Sequence, residues 1–105
     1  MKVKFAVDAL AALAQESRLA IFRLLVQIGK EGLPAGELAE KLSIPAATMS
    51  FHLKTLTHAK LVRSRVDGRF VIYSANFAEM DKLIAYLAEN CCAGDAAQCA
   101  PLKKC

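Results

Sequence analysis

The chain has 105 residues, 55% of them hydrophobic, and a formal charge of +4, which suits one domain with a single shallow core rather than two. The charge is uneven: residues 43–74 hold Lys54, Lys60, Arg63, Arg65 and Arg69 against Asp67 alone, while the remainder is balanced. No uncharged apolar run approaches the ~18 residues of a membrane span, and Asp8 interrupts the apolar start, so the sequence reads as cytoplasmic, with no membrane contact.

Taken in order, residues 3–14 are predicted as a first helix with Phe5, Ala9, Ala12 and Leu13 as its apolar stripe. Ser17 is the expected N-cap of a second helix over 18–28. Ile21, Phe22, Leu24, Leu25 and Ile28 make that helix the central core element, and Gly29 is its stop. Arg18 and Arg23 read as surface or capping groups. Gly32 and Pro34 mark a turn into a short helix carrying Glu37, Leu38, Ala39 and Leu42 and ending near Ser43. After Ser43 and Ile44, Pro45 opens the next helix, where its missing donor is harmless. On that helix Met49, Leu53 and Leu56 fall on one side, and Ala47, Ser50, Phe51, Lys54 and His58 on the other. One face packs, and the other is polar, then cationic, the pattern of the groove-entering helix of a helix-turn-helix.

Next, V-R-S-R-V-D-G-R-F-V-I-Y-S reads as two strands joined by Asp67-Gly68, a hairpin signal of the I′ kind. Beside the preceding helix, the clustered Arg63, Arg65 and Arg69 favour a wing along a phosphate backbone over an edge hairpin kept soluble by charge. Asn76 and Glu79 have capping-box spacing for a last helix reaching about residue 90, with Met80, Leu83, Ile84 and Leu87 as its stripe. The expected fold is therefore mainly α with a small β-hairpin wing, a winged helix-turn-helix of about five helices. Residues 1–92 form the DNA-binding and dimerisation domain, and 93–105 a cysteine-containing tail. The first and last helices are expected to make a homodimer seam.

The expected partner is double-stranded operator DNA, with the helix of each subunit in successive major grooves. Ala46, Ala47, Thr48, Ser50, Phe51 and Lys54 are the residues expected to face it, Phe51 through a thymine methyl or by packing on the wing. His52, also assigned to this set, lies towards the buried flank, which suits packing or a phosphate contact. Lys60, Arg63, Arg65 and Arg69 are expected to add salt-dependent, sequence-independent affinity.

Three runs, Q-E-S-R-L-A-I-F-R-L-L, E-L-A-E-K-L-S-I-P-A-A-T-M-S-F-H-L-K-T-L and D-G-R-F-V-I-Y, together with the order of helices and wing, closely resemble the ArsR/SmtB family of metal-sensing bacterial repressors over about residues 5–90. The resemblance implies a homodimer that represses its operon until an inducer binds. Two of the family's sensor sites have no counterpart. The short helix reads L-A-E-K-L-S without the cysteine pair of many arsenic sensors, and no histidine follows His58 to join Asp81 as in zinc sensors. The terminal C-C-x6-C-x5-C is instead similar to arsenical repressors carrying a vicinal pair and a third cysteine beyond the last helix.

Thiolates without a neighbouring histidine select soft partners. Cys91, Cys92 and Cys99 can supply three sulfurs to one trivalent arsenic, from arsenite or a methylated arsenical, or to the antimony of antimonite, with Cys105, beside Lys103 and Lys104, the least expected member. No organic cofactor is expected. A redox or persulfide switch, or a cadmium or zinc sensor, are the alternatives; the spacing is poor for closed tetrahedral zinc. An enzyme is not expected, because a thiol oxidoreductase would need a C-x-x-C and a strand-helix-strand framework that the chain lacks. A constitutive DNA-binding architectural protein would differ in being indifferent to every thiophile.

Overall fold

Alanine sets how closely the first element can approach the rest. In a computed structural model, which describes residues 1–91, α1 (Val3–Leu13) buries Ala6, Ala9 and Ala12. No side chain on that line extends beyond Cβ, so the helix lies close to its neighbours. Phe5, expected in this stripe, is instead 44% exposed, while Leu13 packs partly buried against the core. Its ring lies 4.9 Å from the Lys60 Nζ. The second helix, α2 (Glu16–Ile28), starts two residues earlier than its sequence signals suggested. Gln15 is the cap: its backbone is extended and its Oε1 accepts from the Arg18 N–H at 2.9 Å, which leaves Ser17 inside the first turn. Arg18 does act as a capping group, its Nε donating to the Ala12 carbonyl at 2.6 Å and satisfying an otherwise unpaired group at the end of α1.

The sheet has three strands, not the two expected. Between α2 and α3 (Ala35–Leu42), the two-residue β1 (Leu33–Pro34) pairs antiparallel with β3 (Phe70–Ala75), which also pairs with β2 (Val62–Asp67), giving the order β1-β3-β2. Gly32 makes this possible. Its φ is +67°, and a Cβ there would run into the Tyr73 carbonyl. The hairpin turn is also shifted from expectation. Asp67 pairs with Phe70, so Gly68 and Arg69 form the loop, and φ is positive at Gly68 but not at Arg69, the II′ pattern rather than I′.

Ser43 ends α3 in the left-handed region at φ 54°, and Pro45, extended at φ −56° and ψ 145°, precedes α4 (Ala46–His58). Met49, Leu53 and Leu56 of α4 are buried with Ile21, Leu25, Leu38 and Leu61 in the core. The last helix, α5 (Phe77–Leu87), forms half of the expected capping box. Asn76 Oδ1 accepts from the Glu79 N–H at 3.3 Å, but the Asn76 N–H donates to the Leu61 carbonyl and Glu79 pairs with Lys82. A second bond, from Asn76 Nδ2 to the Lys60 carbonyl at 3.0 Å, ties α5 to the α4–β2 link. The helix stops at Leu87, short of residue 90, and Asn90 turns left-handed at φ 56°. No described helix is long and apolar enough to cross a membrane.

Two glycine substitutions separate these constraints. Gly32→Ala is expected to lower stability by about 2 kcal/mol or more, through the clash and the left-handed backbone. Gly36→Ala, in α3 with open space around it, should raise stability by about 0.5–1 kcal/mol. Urea denaturation midpoints measure both.

Candidate nucleic-acid interface

With Met49, Leu53 and Leu56 turned inward, the opposite side of α4 is left to solvent. Ala46, Ala47, Thr48, Ser50, Phe51, Lys54 and His58 are all exposed, Phe51 to 67%. His52 is not: it is only 8% exposed, and its Nδ1 is buried with no hydrogen-bond partner among the described residues. Of the two roles open to His52, its burial supports packing and removes the side chain from the outward set.

The register of the hairpin decides which wing residues meet this face. Ser64 is paired with Tyr73 and lies on the same side as the buried pair Val62 and Ala75, so both turn towards α4. A groove of about 590 Å³ runs between helix and wing, lined by Ser50, Lys54, Thr57, His58, Lys60, Ser64 and Tyr73. Thr57, Ser64 and Tyr73 were not among the residues expected from the sequence. The two strand residues would have followed from the period-two alternation once Gly68 and Arg69 were taken as the loop.

The same alternation divides the wing residues between two faces. Arg63, paired with Ser74, and Arg65, paired with Ile72, project from the opposite face of the hairpin, away from α4, while Arg69 sits in its loop. Arg65 is further committed: its guanidinium donates to the carbonyls of Glu31 at 2.8 Å and Lys30 at 3.4 Å on the α2–β1 turn. These arginines therefore do not form one strip beside the reading helix. Phe51 also differs from one of its expected roles. It lines a cavity of about 690 Å³ on the other flank of α4, with Asp8 of α1 and Arg18 of α2, rather than the wing groove.

Two further regions bear on function. Val3, Val7 and Leu10 on α1, and Ile84 and Leu87 on α5, are large apolar side chains left exposed, the last two at 48% and 60%. Cys91, part-buried, lies past the end of α5, separated from Leu87 by a turn in which Asn90 is left-handed, so it does not extend the Met80–Ile84–Leu87 line as a further helical turn. Cys92, Cys99, Cys105 and the tail 93–105 lie outside the described residues. Among those described, no three His, Cys, Asp or Glu side chains gather as a metal-binding group.

A short helix, a left-handed turn at Ser43, a second helix with a bare outer face and a hairpin alongside it define a winged helix-turn-helix. Residues 13–65 match the family described as "Helix-turn-helix domain". The HTH-type transcriptional regulator YceK of Bacillus subtilis is 52% identical over 58 residues, which are 55% of this chain, and the match spans only 57% of that protein's length. The arsenical resistance operon repressor of Bacillus subtilis is 33% identical over 81 residues, covering 77% of this chain and 73% of the repressor. The solved structure of an ArsR-like transcriptional regulator from Rhodococcus sp. RHA1 superposes with a TM-score of 0.74 at 30% identity, covering 95% of this chain and 91% of that one. The chain belongs to the ArsR family of helix-turn-helix regulators.

Because a buried, unpartnered imidazole nitrogen carries a desolvation penalty, His52→Leu is expected to raise stability by about 1 kcal/mol. It should leave base preference in any bound duplex unchanged, as read by denaturation together with selection from a random duplex library.

Proposed function

We propose that the chain is a metalloid-responsive transcriptional repressor, which binds operator DNA as a homodimer and is released when trivalent arsenic occupies C-terminal thiolates. The observation that carries the DNA reading is the groove between α4 and the wing. Its lining offers hydroxyls from Ser50, Thr57, Ser64 and Tyr73, and its cations, Lys54 and Lys60, have no carboxylate partner among the described residues, where the one ion pair is Lys82–Glu79, elsewhere. Hydroxyls and cations without a carboxylate partner, beside an exposed helix, suit contact with base edges and phosphates. Ala46 and Ala47 bring no side-chain hydrogen bonds to the first turn of α4. Thr48 and Ser50 therefore carry direct reading and Lys54 contacts the backbone, while Phe51 suits a thymine methyl.

Dimerisation is supported by the exposed apolar side chains of the two terminal helices, a surface that two copies would cover about a twofold axis. Such a seam would set the spacing of the two α4 helices, and Cys91 lies four residues past the end of the α5 helix that would form it. The inducer reading rests on chemistry: soft thiolates at Cys91, Cys92 and Cys99 fit a thiophilic, three-coordinate centre. Binding there must favour a dimer geometry poor for DNA, and a coupling of about 1–3 kcal/mol would weaken operator binding some 5- to 150-fold.

Lys54→Ala should weaken a duplex selected by the protein about equally across sequence variants and reduce the salt slope by about 1. Ser50→Ala should lose about 1–3 kcal/mol of discrimination at one base position. Both are measured by fluorescence anisotropy. For the inducer, arsenite, antimonite, a methylated arsenical, cadmium, zinc and polysulfide are titrated into that complex. Arsenite is expected to release wild type and Cys105→Ser, and to fail on Cys91→Ser and Cys92→Ser. Release by an oxidant or polysulfide with arsenite inert would make the protein a thiol-redox sensor instead.

A further inference from the structure

We infer that the outer base of the wing is a phosphate-group site, distinct from the groove beside α4. A cavity of about 390 Å³ lies where the α2–β1 turn, the base of the hairpin and the first turn of α5 meet; Lys30, Arg63, Arg65, Asn76, Phe77 and Ala78 are among its lining residues, and Ser64 is shared with the groove beside α4. Three cations thus converge from two separate segments. Among the described residues the only ion pair is Lys82–Glu79, so none of the three is within ion-pair distance of a described carboxylate. Arg65 is held in place by the Glu31 and Lys30 carbonyls, which fixes its guanidinium at the cavity without a long entropic search on binding. Lys30 and Arg63 are exposed.

The α5 end contributes independently. The Asn76 side chain accepts from the Glu79 N–H alone, so among the described residues the amides of Phe77 and Ala78 meet no cap at the positive end of an 11-residue helix, whose first-turn carboxylate, Glu79, is paired with Lys82. A guanidinium fork, an ammonium and two backbone N–H groups around one small cavity match the spread oxygens and charge of a phosphate group. Arg63 and Arg65 reach this site because β2 places them on the face turned away from α4. The two sources of such a group are a backbone phosphate of duplex beyond the α4 contact, and a free phosphorylated small molecule. The site itself does not depend on the operator reading, because a free anion can be tested without DNA.

The test uses the full chain and two exposed-residue variants, Arg63→Gln and Lys30→Gln; Arg65 is left intact because it also tethers the α2–β1 turn. Inorganic phosphate and pyrophosphate are titrated while the amide NMR signals of Phe77 and Ala78 are followed. In parallel, salt slopes are measured on a selected duplex and on the same duplex lengthened by about one helical turn, ~10 base pairs, at each end. Saturable shifts at Phe77 and Ala78, weakened about tenfold in either variant, establish a site for free phosphate groups. A salt slope that falls by about 1 in the variants on the long duplex only establishes a site for a DNA phosphate. No saturable shift, together with slopes equal to wild type on both duplexes, overturns the inference.

Discussion

Burying Met49, Leu53 and Leu56 leaves α4 a single orientation, and the rest of the molecule depends on it. Each of these side chains is worth roughly 1.5–3 kcal/mol when removed from water. Rotating the helix to bury Phe51 or Lys54 instead would forfeit that and strand a charge. The helix touches α1, α2, α3 and β2, so the core holds it from every inner side. The left-handed Ser43 sets its angle to α3, and the left-handed Lys60 turns the chain from its end into the wing. What α4 shows to solvent is thus a consequence of what it hides.

A second constraint, the period of two along β2 and β3, divides the wing between two surfaces. Ser64 and Tyr73 complete the groove beside α4, while Arg63 and Arg65 serve the far side. The positive charge concentrated between residues 43 and 74 is therefore not one patch. Lys54 and Lys60 face one way, and two wing arginines join Lys30 on the other.

The two faces of α4 were legible in the sequence because a 3.6-residue pattern over thirteen residues admits one reading. The hairpin was legible from Asp67 and Gly68, but its register was off, since Asp67 is the last paired residue and not a loop residue. Leu33 and Pro34 could not be seen as a strand. Two residues have no periodicity, and their pairing with Tyr73 and Ile72 is a backbone matter decided some forty positions away. The tether of Arg65 was hidden for the same reason, its acceptors being carbonyls 34 and 35 residues earlier. The cap at Gln15 was hidden because serine at position 17 carries the stronger intrinsic capping preference. The thiol chemistry remains an expectation from the sequence, with Cys91 alone inside the described residues.

The most direct test of the central claim, that the outer face of α4 and the inner face of the wing form one DNA-contacting groove, is hydroxyl-radical footprinting of the protein with and without a selected duplex. Oxidation of Phe51 and Tyr73 is expected to fall on binding, while Ile84 and Leu87, on the terminal-helix face, stay as they are in the free protein. Protection of Ile84 and Leu87 by DNA, with Phe51 and Tyr73 unchanged, would contradict it.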